Sequence, residues 1–171
     1  MIYLHTLIQH RVSDDYTKVK SMSTVRFPTI DDLHEVINLL NSNDNNDLSL
    51  SNSVFNKSNF IDQYAQQTIS NQSILLLEIE DKICGMICWD YIFYNTVPLV
   101  SWLYIRKDYR NKNYANLLTS TLYDILRKKG YKRLLYSIHE SVKDPSSINP
   151  HGYLEWPDNT KEIFYWMKLA E

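Results

Sequence analysis

The six residues Arg110-Asn-Lys-Asn-Tyr-Ala115 concentrate more chemistry than any other short stretch of this chain. They lie between an apolar, β-rich run that closes at Arg106 and a stretch from Tyr114 to Lys129. There Leu117, Leu118, Thr121, Leu122, Ile125 and Leu126 recur with helical period. A loop that leads from a strand into a helix presents N–H groups the helix cannot satisfy, and the helix dipole adds positive potential, so phosphate binds well in such a place. Close approach of a pyrophosphate requires residues that are small or that tolerate positive φ, and Asn113 and Ala115 stand where bulk would be harmful. Arg110 and Lys112 add countercharge. Net charge is −2, yet nine of the 18 Lys and Arg residues fall between Arg106 and Arg133, where the only acids are Asp108 and Asp124. It is this segregation along the chain, and not the net balance, that suits a polyphosphate ligand. The alternative is a polar loop capping a basic surface helix.

The elements needed to hold such a loop can be traced along the chain. Ser23 to Phe27 alternates as a strand does, with Pro28 as its stop, and Thr29-Ile-Asp-Asp32 has capping-box spacing ahead of Leu33, Val36, Ile37 and Leu40 at helical intervals. Asn41 to Ser53 is a polar low-complexity stretch expected to be a mobile loop, and Val54 to Thr68 suggests a second, less regular helix. Ile74 to Glu80, Ile83 to Tyr94 and Leu99 to Arg106 then form a three-stranded meander, with turns expected at Asp81-Lys82 and at Asn95 to Pro98. Gly130 is placed to end the helix after Tyr114, with Arg127, Lys128 and Lys129 against its C-terminal dipole. Lys132 to His139 is a further strand. Pro145, Pro150, Gly152 and Pro157 predict irregular backbone before a last strand, Glu162 to Lys168. The result is an α/β chain with a mixed, mainly antiparallel sheet and helices on both faces. Residues 23–171 read as one domain, with 1–22 an unplaced extension.

At 171 residues there is room for one ordinary domain. A 44% hydrophobic and 22% charged composition is that of a soluble globular protein, and no apolar run approaches the roughly 18 residues that would span a bilayer. No membrane association is expected. The first ten residues show neither a basic leader nor a cleavage site, which points to the cytoplasm. Cys84 and Cys88, four apart within one strand, are expected on one face at roughly 13 Å, too far for a disulfide, as small buried residues without a metal. Nucleic-acid binding is disfavoured, because aromatic residues are not interleaved with the basic ones in an RNA-binding pattern.

With these residues in place, the chain resembles the GNAT superfamily of acyl-CoA-dependent N-acyltransferases. The family's pyrophosphate loop runs Arg or Gln, two residues, Gly, one residue, Gly or Ala; Arg110, Asn113 and Ala115 match it, with Asn in place of the usual Gly. Leu103-Tyr-Ile105 occupies the place of the strand that hydrogen-bonds pantetheine, and Glu80-Asp-Lys-Ile-Cys-Gly85 and Phe164 to Leu169 match further landmarks in order. The resemblance implies an acetyl-CoA or other acyl-CoA co-substrate, without metal, held by Leu103, Tyr104, Ile105, Arg110, Asn111, Lys112, Asn113, Tyr114 and Ala115. It implies direct transfer to a primary amine of a small molecule or a protein; a homodimer is left open.

The reaction sets three tasks: holding the cofactor in register, taking a proton from the ammonium, and stabilising the oxyanion and departing sulfur. Where the family often keeps a Glu as base, this chain reads Leu99, Val100 and Ser101. A water held by Ser101, or Asp90, His139 or Glu140 if the sheet ends converge, are the candidates. For the acid the family frequently uses a Tyr beyond the strand that ends here at Ile138; Tyr153 is the substitute, Tyr136 the weaker one. An enzyme and a catalytically degenerate module of the same fold, binding CoA or a protein partner, both remain open.

Overall fold

The computed structural model describes residues 23–41, 58–92, 94, 96–139, 152–155 and 161–169. In chain order the elements are strand β1 (Thr24–Arg26), helix α1 (Leu33–Leu40), helix α2 (Ser58–Ser70), strands β2 (Ile74–Ile79), β3 (Lys82–Ile92) and β4 (Val97–Ile105), helix α3 (Tyr114–Lys128), and strands β5 (Arg133–His139), β6 (Gly152–Glu155) and β7 (Lys161–Lys168). The strands form one sheet in the order β1-β2-β3-β4-β5-β7-β6. Every neighbouring pair is antiparallel except β4 and β5, whose parallel pairing is made possible by the α3 crossover. The expected mobile loop beyond Asn41 and the extension 1–22 lie outside the described residues.

The sheet is covered on both faces. On one, Val36, Leu39 and Leu40 of α1 and Ala65 and Ile69 of α2 bury against Ile74, Leu76, Met86 and Cys88. On the other, Leu117, Leu118, Leu122 and Leu126 of α3 bury against Leu75, Leu77, Ile87 and Trp89. This double burial explains why β2 reads as a continuous apolar run instead of an alternating one.

Local chemistry sets the element ends. Thr29 N–H donates to Asp32 Oδ2 at 2.7 Å, and the Arg26 guanidinium reaches both Asp32 oxygens at 2.8 and 2.9 Å and Glu78 at 2.7 Å, so one cation ties β1, the entry to α1 and β2 together. Gly130, at φ 85°, ends α3: its N–H bonds Arg127 O, and Tyr131 N–H bonds Leu126 O, the paired bonds of a Schellman motif. Gly85 faces Ile105 across the β3–β4 ladder, where a Cβ would come within 2.7 Å of the Tyr104 carbonyl.

Four expectations need correction. The first hairpin turns on Glu80 and Asp81, both at positive φ (50° and 60°), one residue earlier than Asp81-Lys82. Pro98 lies inside β4 opposite Tyr91 and not in the preceding turn; near a strand's start its missing N–H costs no ladder bond with β5, whose pairing begins at Leu99. Gly152–Glu155, expected to be irregular, is a short edge strand on β7. Cys84 and Cys88, both buried and free, sit on opposite faces, because the register moves from Leu77↔Gly85 to Glu78↔Ile83 and leaves Cys84 as an extra residue. That bulge breaks the alternation on which the one-face expectation rested.

Candidate functional site

β4 and β5 pair only at Leu99↔Leu135 and Val100↔Tyr136 among the described residues, although β4 runs on to Ile105 and β5 to His139. The strands part there. The cause lies in β4, where the register against β3 moves from Cys88↔Trp102 to Trp89↔Val100 and leaves Ser101 as a bulged residue. A bulge bends its strand and sharpens the local twist, drawing the far half of β4 away from β5.

The parted edge carries usable backbone groups. Arg106 N–H bonds Cys84 O at 2.8 Å on the β3 side. Successive residues of a strand face opposite edges, so Tyr104 shares that side while Leu103 and Ile105 turn N–H and C=O toward the opening. Ile105 O confirms its own direction by accepting from Arg110 Nε at 2.9 Å.

Beyond β4 the chain makes a 3-10 turn, Lys107–Tyr109, and then the loop into α3. Asn111 and Asn113 both take positive φ, 59° and 64°. Asn113 is the residue that caps α3, yet its side chain makes no capping bond and instead accepts from Asn116 Nδ2. Leu117 N–H closes the first turn on Asn113 O at 3.2 Å, so the N–H groups of Tyr114, Ala115 and Asn116 belong to the unsatisfied first turn of the helix. Ala115 is half-buried against the α3-side core. Arg110 and Lys112 brace the loop as well as charging it. The Arg110 guanidinium lies 5.8 Å from the Tyr104 ring centre; Lys112 Nζ donates to Asp108 O at 2.9 Å and sits 5.5 Å from the Tyr109 ring centre. At the carboxyl end of β4, beside an open strand edge, these groups could hold an anion.

The sequence candidates for proton transfer fall in different places. Ser101 sits on the α1/α2 side of the sheet, with its Oγ 2.8 Å from Tyr64 Oη of α2, and Tyr64 donates to Asp90 Oδ2 at 3.2 Å. Burial, with help from the Cys88 thiol and Asp90, pushes the Tyr64 phenol well above its ordinary range. Tyr136 is on the other side, half-buried against the α3 core and hydrogen-bonded to Tyr123 at 3.0 Å; burial also raises its phenol. His139 ends β5 opposite Glu162, and Tyr153 lies in β6 opposite Ile163; both are placed by backbone alone. Glu140 lies outside the described residues. Tyr64 is a candidate that the sequence did not announce, since it reaches Ser101 across 37 positions. Among the described residues no group of His, Cys, Asp and Glu could hold a metal, and no helix is long and apolar enough to cross a membrane.

Comparison with known proteins agrees with this architecture. A family model described as Acetyltransferase (GNAT) family matches residues 34–149. No curated protein matches the chain. Among solved structures it is similar to an N-acetyltransferase of Staphylococcus aureus, at 17% identity and TM-score 0.66, covering 86% of this chain and 99% of that one. It is similar to a GNAT-family acetyltransferase of Bacillus cereus, at 18% identity and TM-score 0.62, covering 88% and 99%. It is also similar to yncA of Salmonella typhimurium, solved with acetyl-CoA as its cofactor, at 13% identity and TM-score 0.67, covering 87% and 95%. At these identities the structures speak for the fold.

Proposed function

The chain belongs to the GNAT acetyltransferase family, and on that premise we propose that it moves an acyl group, acetyl in the first instance, from coenzyme A to a primary amine by direct transfer. The observation that carries this is the left-handed Asn113 turn at the head of α3, set directly beyond a β4 edge that β5 has left open. The pyrophosphate fits the N–H groups of that first turn, with Arg110 and Lys112 close by. The pantetheine arm, with its amides, can hydrogen-bond the outward groups of Leu103 and Ile105 as a neighbouring strand would. Its thioester then points back along β4 toward Ser101. The acetyl-CoA held by yncA is the reason to begin with that thioester.

Holding both substrates in one cleft replaces a bimolecular encounter by a positioned one, a large share of the catalysis such a site can supply. Titration calorimetry with acetyl-CoA tests the binding step, and thiol release with a panel of primary amines tests turnover. Binding without turnover on any amine would favour the non-catalytic module of the same fold; absence of binding would end the proposal.

A further inference from the structure

Ser101 is the bulged residue of β4 and follows directly on Val100, the last β4 residue paired with β5. Its hydroxyl is therefore presented where the strands part. A carboxylate oxygen only accepts, so the phenolic proton of Tyr64 goes to Asp90 at 3.2 Å, and across the 2.8 Å contact the Ser101 proton goes to Tyr64. Ser101 Oγ keeps its acceptor capacity for a donor from the cleft. Three oxygens thus make a directed chain with its entrance at the opening and a carboxylate at its end. Each member comes from a different element, α2, β3 and β4, and the bulge leaves Ser101 and Trp102 together on the α2 face. Tyr64, whose phenol burial holds protonated, passes a proton on without itself ionising. The Cys88 thiol, which also faces Tyr64, is fully buried and stays neutral for the same reason.

We infer that Asp90 receives the proton of the attacking amine through Ser101 and Tyr64, an assignment that rests on the acyltransferase reading above. The ammonium N–H bond breaks and its proton passes to Ser101 Oγ, the serine proton to Tyr64 Oη, and the tyrosine proton to Asp90 Oδ2. The freed lone pair forms the C–N bond at the thioester carbonyl. The C–S bond breaks, the sulfur takes that electron pair, and a second N–H proton ends on it as the thiol. Asp90 returns its proton to solvent along the same chain. Ser101 is the catalytic residue here; Tyr64 and Asp90 act through it as positioning residues.

The test uses the full chain, acetyl-CoA, and a panel of primary alkyl amines, amino acids and short peptides, with thiol release followed at about pH 7 and about pH 9. Tyr64→Phe and Asp90→Asn should each lower kcat at the lower pH by ~10-fold or more while the acetyl-CoA Kd holds within about twofold, and the double variant should be no slower than the worse single one. At the higher pH, where solvent deprotonates the amine, all three should recover most of the loss. Ser101→Thr should restore the pH profile that Ser101→Ala loses, which keeps the test decisive if a Tyr64 variant folds poorly. Additive losses, losses equal at both pH values, or unaltered rates would overturn the relay. A native protein that binds acetyl-CoA and acetylates nothing in the panel would overturn it too, leaving the acyl-CoA site standing. Failure to bind acetyl-CoA would instead overturn the acyltransferase reading.

Discussion

At Asn113 the backbone and the side chain have separate tasks. The backbone adopts φ 64°, and the side chain turns to Asn116 without capping the helix. Glycine reaches the same conformation without a Cβ, so Asn113→Gly should leave the acetyl-CoA Kd unchanged or tighter by calorimetry. A tenfold weakening would assign the Asn side chain a direct contact. Ala115→Phe should abolish the rise in melting temperature that acetyl-CoA gives the native chain, since a ligand of the folded state stabilises it by mass action. Equal shifts in the two proteins would move the phosphates elsewhere. Asn113 was legible from sequence because Asn is the side chain that most readily visits left-handed backbone. Tyr64 was not legible: nothing local distinguishes it among 13 tyrosines, and Asp90 and Ser101, which it bonds, lie 26 and 37 positions away.

The strands β3 and β4 were foreseen as members of a meander, but their two irregularities were not. Periodicity reports that a residue is apolar; it does not report that the ladder gains a residue at Cys84 or Ser101, because bulges answer to the partner strand. β6 escaped notice for a related reason: four residues flanked by prolines carry no periodic signal, and pairing with the outer edge of β7 supplies the order. Gly85 offers a direct check on how closely β3 and β4 must approach. Gly85→Ala places a methyl against the Tyr104 carbonyl and Ile105 Cδ1, and should cost about 1 to 3 kcal/mol in urea unfolding. It should also weaken acetyl-CoA binding, because the strain falls on the segment whose outer edge would face the pantetheine. A variant as stable as the native protein would show that β4 yields there without cost.

For the molecule as a whole, part of the stability in acid comes from Arg26, the cation that joins β1 to the entry of α1 and to β2. The Arg26 guanidinium holds the Asp32 carboxyl down at about 2, from an ordinary 3.8, so the folded state binds that proton less readily than the unfolded chain. The resulting stabilisation is complete above the unfolded value and disappears as the pH falls through about 2. Asp32→Asn should therefore cost about 1.5 kcal/mol near neutrality, and its deficit against the native protein should shrink steadily from about pH 5 to about pH 2 in thermal melts. A deficit that stays constant with pH would mean that the two charges do not interact. The layered order of the fold was legible because each helix shows its apolar stripe in sequence, whereas the opening between β4 and β5 follows from one bulge that no stripe records. The other bulge has a use of its own. By sending Cys84 to the α3 side and leaving Cys88 under α1 and α2, it gives each half of the interior its own thiol clock. Under native conditions, alkylation at Cys84 should time openings on the α3 side of the sheet, and alkylation at Cys88 openings on the side of the other two helices. Mass spectrometry of the two peptides would then reveal whether the halves open together or in turn.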